Sequence, residues 1–172
     1  MKRLLGVVLF AACVLGAIQL AAADTKTKTD SRTDASPNSV DLVSASAGHR
    51  GKRKLRHTVK LDGPVDDSIA NLQVILQMNV KGNGDCEFEI FWPPKGKSKL
   101  VRCGIGFTNK NAVVSQPSPK TLRFTFPKRL IGSPAKYGWR LVTRDEGAGG
   151  DILDSLPDEK HGNPVYVIHK LR

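Results

Sequence analysis

No HExxH, no GxSxG and no glycine-rich phosphate loop opening a helix occurs in these 172 residues, and the four histidines, His49, His57, His161 and His169, are dispersed along the chain. Zincin, serine-hydrolase and nucleotide-dependent chemistries therefore lack their residue sets, and no enzyme is expected. Cysteine is scarce as well. There are three, none in a CxxC spacing, which leaves a four-ligand zinc site without ligands. Acids are outnumbered, 16 against 27 Lys and Arg, for a net charge of +11. Internal repeats and long amphipathic helical patterns are absent. Only one apolar run is long enough to approach a membrane span, and it lies at the start of the chain.

That run has the order of a secretory signal peptide. Met1-Lys2-Arg3 is basic, Leu4 to Leu20 is almost wholly apolar, and Ala21-Ala22-Ala23 offers small residues ahead of Asp24. Residues 1–23 are therefore expected to be removed, leaving a secreted protein with no transmembrane segment. The alternative localisation is a membrane-anchored lipoprotein ending its signal at Cys13. Val14-Leu15-Gly16 follow that cysteine, however, and they are apolar chain rather than a polar tether. Cleavage leaves Cys86 and Cys103, an even pair in an oxidising compartment, and one disulfide is expected between them.

Residues 24–38 contain Thr, Lys, Asp, Ser, Ala and Pro and nothing apolar larger than Ala. Such a segment cannot bury enough surface to offset its ordering entropy, so it reads as a disordered spacer. Residues 39–172 read as one domain. Leu55, His57, Val59 and Leu61 alternate with Arg56, Thr58 and Lys60; Leu72, Val74, Leu76, Met78 and Val80 alternate with Gln73, Ile75, Gln77 and Asn79. The same period of two runs through Cys86 to Trp92, Leu122 to Phe126 and Tyr137 to Thr143, and a closing strand is expected over Pro164 to His169. Lys128 to Ser133 is expected to form one helical turn. Eight or nine strands between Gly- and Pro-containing turns predict an all-β fold, an antiparallel β-sandwich of jelly-roll or immunoglobulin-like type.

The positive charge is uneven. Residues 24–60 carry nine Lys or Arg against four Asp, centred on Arg50, Lys52, Arg53, Lys54 and Arg56. Such a run is either a solvated turn or a contact for a polyanion. In an exported protein the expected polyanion is a cell-wall polymer or acidic polysaccharide, not nucleic acid.

Three further groups carry candidate chemistry. Ser133-Pro134-Ala135-Lys136 has the SxxK spacing of penicillin-interacting serine enzymes, which works only on a helix; Pro134 and the missing SDN and KTG elements make it a coincidence. Asp151, Asp154 and Asp158 lie in a glycine-rich acidic stretch that reads as a solvated connection, with a structural calcium as its one cofactor candidate. Trp92, Tyr137, Trp139 and Arg140 are the residues with which a carbohydrate-binding sandwich would stack on and bond a sugar. Trp139 is in phase with Leu141 and Trp92 with Ile90, a core phase.

Phe124-Thr125-Phe126-Pro127, Ile131-Gly132-Ser133-Pro134, Tyr137-Gly138-Trp139-Arg140 and the stretch Asp151 to Asp158 resemble a group of uncharacterised secreted proteins from actinobacteria. Their order is also distantly similar to family 9-type carbohydrate-binding and DOMON-like sandwiches. The resemblance implies a jelly-roll or immunoglobulin-like fold and glycan binding. DOMON domains that hold haem use Met and His as axial ligands, whereas Met78 here is in phase with core-side Leu76.

Two functions are thus expected. One is a secreted non-catalytic binding module for extracellular or cell-wall polysaccharide. The alternative is a structural or adhesive envelope protein that associates with anionic polymers through Arg50 to Arg56.

Overall fold

The period-two runs fold into strands because each can bury one row of side chains and leave the other in water. The computed structural model describes residues 26–30, 40–65, 72–93, 100–103, 106–109, 112–145 and 150–171. Among them are β1 (Lys26–Thr29), β2 (Leu42–Arg50), β3 (Lys54–Leu61), β4 (Leu72–Asn79), β5 (Phe88–Trp92) and β6 (Leu100–Arg102). There follow β7 (Gly106–Asn109), β8 (Val113–Ser118), β9 (Thr121–Pro127), β10 (Lys136–Asp145), β11 (Asp151–Leu156) and β12 (Val167–Lys170).

The strands form two antiparallel sheets. The first runs β1-β2-β3-β9-β8 and the second β11-β10-β4-β5-β6-β7. β12 pairs the first half of β10 and β11 pairs the second half. The expected antiparallel β-sandwich is the observed architecture, with Leu55, Val59, Leu122, Phe124 and Phe126 of one sheet buried with Val74, Leu76, Met78, Trp139 and Leu141 of the other.

Three local devices set the ends. Gly51 takes φ +66° in the β2–β3 turn, a left-handed conformation that favours glycine, so Arg50 and Lys54 pair directly across the hairpin. The expected helical turn is a 3₁₀ turn over Lys128–Ile131, ended by Gly132. Cys86 and Cys103 are disulfide-bonded with Cα atoms 5.9 Å apart, joining the ends of the β5–β6 hairpin.

The structure has more strands than expected. Lys26–Thr29, inside the stretch assigned to a disordered spacer, is an exposed edge strand paired along β2 from Ala47 to Ser44. Leu100–Arg102 and Gly106–Asn109 are two further strands, β6 and β7, paired with each other. The acidic stretch is not wholly a connection, because Asp151–Leu156 forms β11 and buries Asp154, Ser155 and Leu156. Residues 1–23, Cys13 among them, and the spacer residues 24–25 and 31–38 lie outside the described residues. Among the described residues no helix is long and apolar enough to cross a membrane.

Candidate functional site

The first sheet has a charged outer face. Leu55, His57, Val59 and Leu61 point to the core, so Lys54, Arg56, Thr58 and Lys60 point outward. Leu122, Phe124 and Phe126 likewise put Thr121, Arg123 and Thr125 outward. Register then lays the rows out. Arg50 pairs with Lys54; Gly48 pairs with Arg56, which pairs with Thr125; Ser46 pairs with Thr58, which pairs with Arg123; Ser44 pairs with Lys60, which pairs with Thr121.

On this grid Arg50, Arg56 and Arg123 fall on one diagonal, each a strand further across and two residues further along. Strand spacing and rise make each diagonal step about 8 Å between Cα atoms. No Asp or Glu occurs in β1, β2, β3, β8 or β9. Among the described residues none of Arg50, Lys54, Arg56, Lys60 and Arg123 makes an ion pair; the salt bridge present is Arg140 to Glu159, on the other sheet. The Nε atoms of Arg56 and Arg123 have no hydrogen-bond acceptor. Burial, and then the neighbouring charges of Arg123 and Arg50, hold the Arg56 guanidinium below its ordinary pKa.

The face continues past the hairpin end of the sheet. Arg50, Lys54 and Arg129 line a shallow depression of about 420 Å³ with Val113 and Thr125. Lys52 and Arg53, on the turn itself, line a second depression with Lys128 and Arg129. The basic run expected from the sequence is thus divided. Arg50, Lys54 and Arg56 belong to the flat face, and Lys52 and Arg53 to its end. Lys60, Arg123 and Arg129 complete the patch.

No family model, curated protein or solved structure matches the chain. Function therefore rests on the side chains themselves.

The aromatic group is a core feature. Trp92, Tyr137 and Trp139 are at most 5% exposed, so they offer no ring face to a sugar in solvent, and the expected platform is not presented. The reason is the phase of their strands: Trp139 lies beside Met78 and Tyr137 reaches across to the first sheet, where its hydroxyl meets His57 Nε2 at 2.7 Å. Arg140 is also buried and already engaged. Its Nε donates to Gln77 Oε1 at 2.6 Å, its Nη1 pairs with Glu159 at 3.0 Å, and its guanidinium lies 5.7 Å from the Tyr166 ring centroid.

The three acids of the calcium candidate do not converge. Asp151 and Asp158 are exposed, while a register shift after Thr143 leaves Asp154 facing inward, where Oδ2 accepts from the Leu42 amide at 2.7 Å. Asp154 instead meets Asp30 and Asp41, with carboxylate oxygens within 4.8 Å of one another. That is a hard-oxygen set of the kind calcium takes, but each of the three also has a further interaction within the protein. Cys86, Glu89 and Cys103 also approach one another, but the two sulfurs are held in the disulfide.

SxxK chemistry has no geometry here. Ser133 follows the 3₁₀ turn at φ +50° and Lys136 starts β10, so no helix brings the two together.

Proposed function

We infer that this protein is a non-catalytic binding module that holds an anionic extracellular polymer on the outer face of its first sheet. The observation that carries the reading is the row of cations, Arg50, Lys54, Arg56, Lys60 and Arg123, which make no ion pair among the described residues, on a sheet whose strands contain no acid. An acid-free face keeps the positive potential from being cancelled locally, which raises both the on-rate and the affinity for a polyanion. The signal-like residues 1–23 favour a secreted protein, and the distant similarity of the motif order to carbohydrate-binding sandwiches favours a binding role over catalysis. The buried Trp92, Tyr137 and Trp139 turn the reading away from neutral-sugar stacking and towards charge.

Retention of the purified protein on immobilised acidic and neutral polysaccharides tests this. Binding to acidic polymers that weakens steeply between about 50 and 200 mM salt is expected. Salt-resistant retention on a neutral glycan would overturn it.

A further inference from the structure

We propose that the polymer is a linear polysaccharide bearing sulfate or phosphate groups, and that it lies oblique to the strands along the Arg50–Arg56–Arg123 diagonal. The inference rests on the polyanion reading above and narrows its ligand. All three positions on the diagonal are arginines, whereas Lys54 and Lys60 flank the line from the central strand β3. A guanidinium presents a planar fork of donors that engages two oxygens of one sulfate or phosphate, and a lysine ammonium acts as a point charge. A guanidinium forks a carboxylate too, but a carboxylate has only the two oxygens the fork takes, whereas a tetrahedral sulfate or phosphate keeps a third for the flanking Lys54 or Lys60.

The surroundings favour an extended sugar chain. β2 contributes only Ser44, Ser46 and Gly48 beside the diagonal, so the approach from that side is low, and the half-buried Thr58 and Thr121 place hydroxyls among the cations. Three arginines at steps of about 8 Å describe a straight track of about 16 Å. Among the described residues β2, β3 and β9 put no aromatic ring on this face on which unpaired bases would stack. Val113 on β8 is an exposed large apolar side chain on this face, and one such residue does not make the apolar stripe with which a membrane-surface element enters the interface.

Three ligands of matched charge density separate the possibilities: dextran sulfate, poly(glycerol phosphate) and the carboxylate polymer polygalacturonate, with duplex DNA as a fourth. The purified protein is compared with a triple variant, Arg50→Lys, Arg56→Lys and Arg123→Lys, which keeps the net charge. Dextran sulfate or poly(glycerol phosphate) is expected to bind at least about tenfold tighter than polygalacturonate, and the triple variant to lose more affinity for either oxyanion polymer than for polygalacturonate, so that the preference closes. Which of the two oxyanion polymers binds tighter identifies the source. Equal affinity for all three polymers, unchanged in the variant, would overturn the arginine track and leave the charge reading standing. Tighter binding of DNA would also overturn it. Failure to bind any polymer at low salt would overturn both.

Discussion

His57 Nε2 on β3 and the Tyr137 hydroxyl on β10 lie 2.7 Å apart and join the two sheets across the core. Both residues are fully enclosed: the His57 ring lies 5.1 Å from Trp139 and is stacked over Phe126 at 6.0 Å. Burial, and then the neighbouring His169, lower the His57 pKa to about 3, and burial pushes the Tyr137 phenol up.

The pH dependence follows with a definite sign. Above pH about 6.5 the His57 ring is neutral in the folded and unfolded chain alike and contributes no slope. Between about 6.5 and about 3 only the unfolded chain takes the proton, so stability falls as the pH falls, by up to about 5 kcal/mol at the lower end. His57→Gln keeps a donor for Tyr137 and removes the titration. Urea unfolding from pH 7 to pH 4 should show a shallower loss in His57→Gln than in the parent; parallel curves would remove His57 from the account.

Tyr137→Phe deletes the partner of a buried imidazole nitrogen while leaving the ring contacts in place. A loss of about 1–3 kcal/mol is expected, the cost of a buried polar group left unsatisfied. Thermal or urea unfolding at pH 7 measures it, and a neutral result would mean that the pair adds nothing net.

The sequence exposes what depends on local phase and hides what depends on register. Leu55, His57, Val59 and Leu61 declare one face of β3 inward, and from them Lys54, Arg56 and Lys60 can be placed outward without any structure. Arg123 could not be joined to them, because its position beside Thr58 is fixed by the pairing of β3 with β9, strands more than 60 residues apart. The core phase of Trp92 and Trp139 was readable from Ile90 and Leu141, and burial follows it. β1 left no trace: Lys26–Thr29 buries no side chain and is held as a strand by its backbone pairing to β2. β11 was obscured by its acids, since the inward turn of Asp154 depends on the bulge opposite it and on the Leu42 amide.

Gly138 tests the packing over the outer face of the second sheet. A Cβ added there would lie 2.8 Å from the Tyr166 Cβ, closer than two carbons can approach, so Tyr166 must shift. Gly138→Ala should cost about 1–3 kcal/mol by overpacking and release Tyr166 from Arg140. The check is unfolding stability together with the Tyr166 ring signals in a two-dimensional NMR spectrum. Unchanged signals and stability would show that the segment yields freely.

The Cys86–Cys103 bond closes a loop with a sequence separation of 17. Its removal by Cys86→Ser and Cys103→Ser together should lower stability by about 3 kcal/mol in the chain-entropy account. Denaturant midpoints of parent and double variant at equal slope measure the difference. A reductant should lower the parent's midpoint and leave the variant's where it is.

The arginine diagonal sets binding against stability. Arg50 and Arg123 both disfavour the charge on Arg56, and among the described residues no acid pairs with any of the three. Like charges on neighbouring strands destabilise a sheet, by less at the diagonal positions of Arg50, Arg56 and Arg123 than the about 0.2–1 kcal/mol of directly opposed pairs, and salt screens the effect. Arg123→Gln should therefore stabilise the free protein slightly at low salt, with the gain vanishing at high salt, while weakening its retention on an acidic polymer. Thermal unfolding at two salt concentrations and polymer affinity, measured on the same variant, give the two halves. A variant that loses stability at low salt would mean that Arg123 is held by contacts other than charge; one that keeps full affinity would take Arg123 out of the binding face.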